Sequence, residues 1–359
     1  MANASLISAV ANSTENWNDN GTVLHMEFEP ADRWGFWVKQ VMTPIIVAVG
    51  IIGNCFSLIV MKSVALRHKS YSHYISALAV FDSLTLIGRQ VGTVNEYYIS
   101  QLKEPGLFSG FGYTLCKLFN FLEHTCYLMS SWLIVLMAVE RVFAVCLPFK
   151  QCIIRKESGA IIAICALCLI VSLTQAFRFV MIGSINGACE AEEEFLVLFT
   201  ALDIYFYQVT LTFVIPAGIV LLCNSLVIHQ IFYVIRKASH YNESHSTRYT
   251  RVVSKRHKTS VMLLIVSFSF ILTLLPLFIF TIIIDISVKT KGPGAYQIYR
   301  KMLPFHELCI IISLLNYGVN FFIYILWGRS FRFELRKIFM RERTSSYIAT
   351  RTKEEIIRL

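Results

Sequence analysis

The residues able to do chemistry in this chain are the few polar ones inside its long apolar runs. Asp82 lies in the mostly apolar stretch Ser72–Ile99. At about 1.5 Å of helical rise per residue it sits roughly 15 Å from the start of that stretch. Ser130 lies at a similar depth in Leu118–Leu147, and Asn316 and Asn320 fall in the middle of Leu308–Gly328. Asn54, within Val41–Met61, can join them. A lone carboxylate in an apolar medium must be paired, protonated or bound to a cation. Oxygen donors gathered around one acid suit a hydrated monovalent cation such as sodium; they serve equally as a closed hydrogen-bonded network.

A second set is the adjacent pair Glu140 and Arg141 in MAVERVFAVCLPFK, which follows an uncharged run from Thr125 to Val139. Two charges there act either as a restraint that can be released or as an interface pair whose side chains snorkel to water. A third set comprises Arg89, Glu123, His124, Arg178, His306 and Glu307. Arg89 and Glu123 both come out at roughly 25–27 Å from the basic end of their runs, so each can partner the other or a bound molecule.

The elements that carry these residues follow from composition. The chain has 359 residues, 55% of them hydrophobic and 16% charged, and a mean hydropathy of +0.58. A soluble globule would have about a quarter of its residues charged. A bilayer core of about 30 Å needs roughly 20 apolar residues in helical form. Five uncharged runs qualify: Val41–Met61, Ser158–Phe177, Ile204–Ile228, Thr259–Ile284 and Leu308–Gly328. Ser72–Ile99 and Leu118–Leu147, which carry internal charge, bring the expected spans to seven. Runs this long, without alternation, are helices in lipid. The expectation is an all-α, seven-span membrane bundle.

Lysine and arginine concentrate in the segments after spans 1, 3 and 5 and after span 7. The N-terminal segment is acidic, with Glu15, Asp19, Glu27, Glu29 and Asp32 against Arg33. The positive-inside rule then puts the N-terminus outside and the C-terminus inside a plasma-membrane protein. The net charge of +10 is accounted for by that inner-face bias toward anionic lipid, with no nucleic acid needed. Asn3, Asn12 and Asn20 head three glycosylation sequons, all in the N-terminal segment. No basic start with a short apolar core marks a signal peptide. Cys116 and Cys189 are the two cysteines best placed to meet an oxidising environment, as a bridge or as two free thiols. No inverted repeat points to a transporter, and no nucleophile–base spacing, zinc-ligand spacing or phosphate loop points to an enzyme.

Seven spans, Asn54, LAVFD around Asp82, Cys116 placed 25 residues before Arg141, ERV closing span 3, Pro216, Pro276 and NFFIY at 320–324 together resemble the rhodopsin-like (class A) G-protein-coupled receptors. NFFIY, with Phe321 where that family usually has Pro, is similar to invertebrate neuropeptide receptors, including FMRFamide-type ones. The chain departs from the family pattern again at Leu274, Asn224 and a span 4 without Trp. The resemblance implies a Cys116–Cys189 disulfide, a resting-state hold of Arg141 by Glu140, and signalling through Pro148, Phe149, Phe270, Pro276, Asn320 and Tyr324. It implies a heterotrimeric G protein, arrestin and a receptor kinase as partners. No cofactor is expected beyond an allosteric sodium ion at Asp82, Ser130, Asn316 and Asn320.

The division expected is a glycosylated outer segment (1–37), a seven-span receptor domain (38–328) and an inner amphipathic helix with tail (329–359), lying on membrane lipid. Charges in the outer third are too many for a lipid ligand. Glu123, Arg89, His124, Tyr127, Arg178, Tyr205 and Glu307, with the acidic CEAEEEF beyond span 4, suit a peptide with cationic side chains. An amine or chemosensory receptor is the alternative within the family; a transporter or channel is the alternative outside it. Cys116→Ser and Cys189→Ser are each expected to abolish surface expression or ligand response, and peptide mapping that finds both thiols free in surface protein would refute the bridge.

Overall fold

The computed structural model describes residues 34–109, 112–147, 156–185, 188–240, 246–291 and 295–340. The expected glycosylation sites Asn3, Asn12 and Asn20, and Pro148 and Phe149, lie outside the described residues. Helix α1 runs Trp34–Met61, α2 Ser70–Tyr97, α3 Gly112–Cys146 and α4 Glu157–Gln175. α5 is a composite: a 3₁₀ turn Glu193–Phe195, a helical turn Leu196–Thr200, a π-helix Ala201–Val214 and an α-helix Ile215–His240. α6 spans Ser246–Lys291, α7 Ala295–Gly318 and α8 Asn320–Trp327. Residues 329–340 form α9.

Five helices are long and apolar enough to cross a bilayer, and the α7–α8 pair, bent by 51°, makes a sixth. α2 supplies the seventh span of the bundle. Its 28 residues suffice for a bilayer core, and Asp82, Arg89 and Glu96 lower its hydropathy. α3 runs through the middle, packing against α2, α4, α5 and α6, while α1 packs on α2 and α7. The largest buried cluster fills this centre, with Leu78, Met129, Leu133, Val266, Phe270, Leu274 and Tyr324. Many outward residues, such as Ile52, Ile162, Leu169, Leu222 and Leu272, remain exposed and apolar, as helices bathed in lipid require.

Beyond α4 the chain makes one turn, Arg178–Met181, and then an antiparallel hairpin, β1 (Ile182–Ile185) with β2 (Ala188–Ala191). This hairpin was not legible in the acidic CEAEEEF stretch. Cys189 on β2 is bridged to Cys116 on α3, with Cα atoms 5.5 Å apart. The disulfide and Phe108, Ile182, Ala191 and Phe199 form a small core that fastens the hairpin to the bundle.

Two backbone irregularities shape the bundle. The π ladder of α5 closes with the Ile215 amide bonding to the Thr210 carbonyl, next to Pro216, which has no amide to continue it. The α7–α8 bend falls at Gly318 and Val319, although Phe321 stands where a proline was missing from the sequence pattern. Here α7 meets α1 glycine to glycine: a Cβ on Gly318 would lie 3.3 Å from the Gly50 Cα, and one on Gly50 3.1 Å from the Gly318 Cα. Asn54 Nδ2 donates to the Tyr317 carbonyl at 3.1 Å, so an acceptor beside the bend is satisfied from α1.

At the far end, Arg332 Nη1 donates to the carbonyls of Ile325 and Leu326 at 2.7 and 2.6 Å. That caps α8 and aligns α9, whose Phe331 packs 5.6 Å from the Tyr324 ring. Gly50→Ala should lower stability by about 1–3 kcal/mol through overpacking, read as a lower melting temperature of the solubilised protein.

Candidate functional site

The polar side chains meet in three layers. At the level of the hairpin, polar contacts tie helix to helix around the whole bundle. Lys39 of α1 reaches Glu96 of α2 and Glu307 of α7, each at 2.7 Å. Arg89 of α2 lies 3.6 Å from Glu123 of α3. His124, next along α3, is 3.7 Å from Asp203 of α5. Asp203 also pairs with Arg178 beyond α4. Tyr205 of α5 donates its hydroxyl to Asp285 of α6, and Thr281 of α6 lies 3.4 Å from His306 of α7.

Arg178 is 0% exposed. It donates through Nε to Gln175 and through Nη1 to Asn120, both at 2.8 Å, besides pairing with Asp203. Its guanidinium also lies 5.0 Å from the Phe177 ring and 5.5 Å from that of Phe199. So complete a shell is what a buried guanidinium needs, and it directs Arg178 to joining α3, α4 and α5. The π-helix contributes here, because Gln208 lies five residues after Asp203 and donates to it at 2.8 Å. Five residues make one π turn.

Glu123 is arranged differently. Its Oε1 faces Arg89, whose guanidinium also stacks 4.9 Å from the Tyr127 ring. Its Oε2 is buried and has no hydrogen-bond partner among the described residues. Gly88 leaves the room this side chain occupies: a Cβ there would lie 3.3 Å from the Glu123 Cγ. Tyr127 packs 5.4 Å from Tyr317, and Tyr205 is one-third exposed.

The middle layer surrounds Asp82. Ser130 donates to its Oδ1, and Asn320 Nδ2 to its Oδ2 at 2.8 Å. Asn320 also bonds to the Asn316 carbonyl at 3.3 Å. All four are buried; Ser130 and Asn320 reach the Asp82 carboxylate, Asn316 bonds only through its carbonyl to Asn320, and Asn54, also expected there, bonds to the Tyr317 carbonyl instead. No cationic side chain pairs with Asp82 among the described residues.

The third layer is the Glu140–Arg141 pair, both side chains buried and in contact. Phe270 is fully buried in the central cluster, 6.4 Å from Phe213, and Pro276 lies inside α6.

The family model of 7 transmembrane receptors (rhodopsin family) matches residues 53–324, well over half the chain. The chain belongs to that family. The receptor is 23% identical over 317 residues to a growth hormone secretagogue receptor type 1 from Mustela putorius furo, covering 86% of this chain and 82% of that one. A galanin-like G-protein coupled receptor, npr-9, from Caenorhabditis elegans is 27% identical over 143 residues, 40% of this chain and 30% of that one. The isotocin receptor of Catostomus commersonii is 24% identical over 229 residues, 60% and 56% of the two chains.

Sequence reasoning missed Lys39, Glu96, Asp203 and Asp285 of this receptor, all of which hold helices together. Lys39, Asp203 and Asp285 lie just outside the uncharged runs, Asp203 and Asp285 directly abutting Ile204 and Ile284, whereas Glu96 lies inside Ser72–Ile99. A search for charges just beyond the uncharged runs would have found the first three. Asp203→Asn should cost about 3–5 kcal/mol by stranding a buried guanidinium. Reduced surface expression and melting temperature would report it, with Arg178→Met in the same chain restoring most of both.

Proposed function

We propose that the receptor binds a peptide with a cationic side chain at its hairpin end and passes the signal to a G protein at the Glu140 end. The observation that carries this is the buried Oε2 of Glu123, without a hydrogen-bond partner among the described residues, beside a fixed Arg89. Arg89 answers one oxygen and leaves the other as an acceptor for a guanidinium or ammonium. The acidic stretch on and beyond the hairpin favours the approach of such a ligand. The names of the similar receptors (growth hormone secretagogue, galanin-like and isotocin) support that class; the multiple charges argue against an amine or chemosensory ligand, and the family against a transporter or channel.

In this reading the hairpin end and the glycosylated N-terminal segment face outward, as the loop charges require. His124, Tyr127, Arg178, Tyr205 and Glu307 line or brace the pocket around Glu123 and Arg89. Arg178 braces it from within, through Asp203. Below it, Asp82, Ser130, Asn316 and Asn320 fit a sodium ion, since a buried carboxylate met only by neutral donors must be either protonated or bound to a cation. Such an ion would supply the missing positive charge, held by the Asp82 carboxylate and the oxygens of Ser130 and Asn316.

Glu140 and Arg141 restrain the inner end in the resting state. Their release, with movement of α6 about Pro276 and of α8 with Asn320 and Tyr324, opens a site for the G protein that Pro148 and Phe149 would border. Arrestin and a receptor kinase follow from the same family logic, and α9 rests on the lipid surface.

A panel of amidated, arginine-containing peptides, read by calcium and cAMP in cells expressing the full chain, tests the ligand class. Glu123→Gln should then lower agonist potency by about 10- to 100-fold, the 1.4–3 kcal/mol of a charged hydrogen bond, with surface expression kept. If the Arg89 pair is only internal, Glu123→Gln should instead deplete folded receptor, and adding Arg89→Gln should restore both expression and potency.

A further inference from the structure

α2 begins Ser70-Tyr71-Ser72, and each of these side chains meets a neighbouring helix. Ser72 Oγ donates to the Met61 carbonyl at 2.8 Å, fastening the first turn of α2 to the end of α1. The fastening sets Ser70 against α3, where its hydroxyl donates to Glu140 Oε1 at 2.9 Å. Tyr71, on the next position, faces Arg141, whose guanidinium carbon is 5.3 Å from its ring centroid. Glu140 uses its other oxygen, Oε2, for Arg141. Both members of the pair are thus held by one helical turn of α2.

The sequence of α6 has no Asp or Glu from Ser246 to Ile284, and it starts with Arg248, Arg251, Lys255, Arg256 and Lys258, so it carries no acid of its own there to pair with a guanidinium.

We infer that Ser70 and Tyr71 are positioning residues for the resting state, so that α2, and not α6, keeps the Glu140–Arg141 pair closed. The inference rests on the reading of that pair as the resting restraint. The Ser70 hydroxyl fixes the carboxylate plane so that Oε2 stays on Arg141. The Tyr71 ring binds the guanidinium face and covers it from water. Opening therefore requires Arg141 to leave the Tyr71 ring, a separation of α3 from the start of α2.

Ligand-free signalling per surface receptor tests this in cells expressing the full chain, for Glu140→Gln, Ser70→Ala, Ser70→Thr, Tyr71→Leu and Tyr71→Phe. Ser70→Ala and Tyr71→Leu should each raise it about three- to tenfold, the shift given by losing one charge-assisted contact. Ser70→Thr and Tyr71→Phe, which keep the hydroxyl and the ring, should stay at the parental level. A merely structural role would reduce surface receptor without raising signal per receptor, and that result overturns the inference. Should Ser70→Ala fail to reach the surface, Ser70→Cys keeps the shape with a weaker donor and should give the same rise. A rise in Glu140→Gln with none in the two α2 variants refutes the α2 role and leaves the restraint standing. A flat Glu140→Gln refutes the restraint, and the α2 role with it.

Discussion

A charge inside this bundle must find its partner within the protein, because lipid supplies neither water nor counter-ions. That constraint organises the hairpin end. Lys39 joins α1 to α2 and α7, Arg89 joins α2 to α3, and Asp203 joins α3 and α5 to Arg178. In lipid the hydrophobic effect does not draw helices together, so these directional contacts, with close backbone packing such as Gly50 on Gly318, fix which helix lies beside which. Desolvation largely offsets the attraction in a buried pair, and the value of these pairs lies more in arrangement than in net stabilisation.

The same constraint separates bracing groups from groups available to a ligand. Arg178 and Asp203 are enclosed by Gln175, Asn120, Gln208 and two aromatic rings. Among the described residues, Glu123 retains an unanswered oxygen, and Asp82 meets only neutral donors. Burial is similar in all of them; the completeness of the shell differs.

Irregular backbone serves this arrangement. The π-helix of α5 brings the Gln208 amide onto Asp203, which pairs with Arg178, and ends next to Pro216. The α7–α8 bend needs no proline, because glycine-to-glycine contact with α1 and the Asn54 amide accommodate it. A bend is a property of the packing around it, and Phe321 is free to serve as an apolar contact, 5.7 Å from Phe56.

Apolar run lengths and loop charges were enough to give seven helices, and ordered motifs to give the family, since both depend on local composition. The cluster of Asp82, Ser130, Asn316 and Asn320 was legible too, because depth along a helix follows from residue count. Lateral neighbours were not. Runs defined by the absence of charge stop short of Asp203, Asp285 and Lys39, the residues that join helices, and residue counting carries no rotational information about which helix a side chain faces. The hairpin was hidden for a related reason: its four-residue strands have no pattern of their own and are held by the Cys116–Cys189 bridge and a small core. By itself the sequence determined the number of helices, their type and the depth of each polar group. Only the tertiary structure decided which charge meets which, because partner choice among buried ions depends on the rotation and packing of several helices at once.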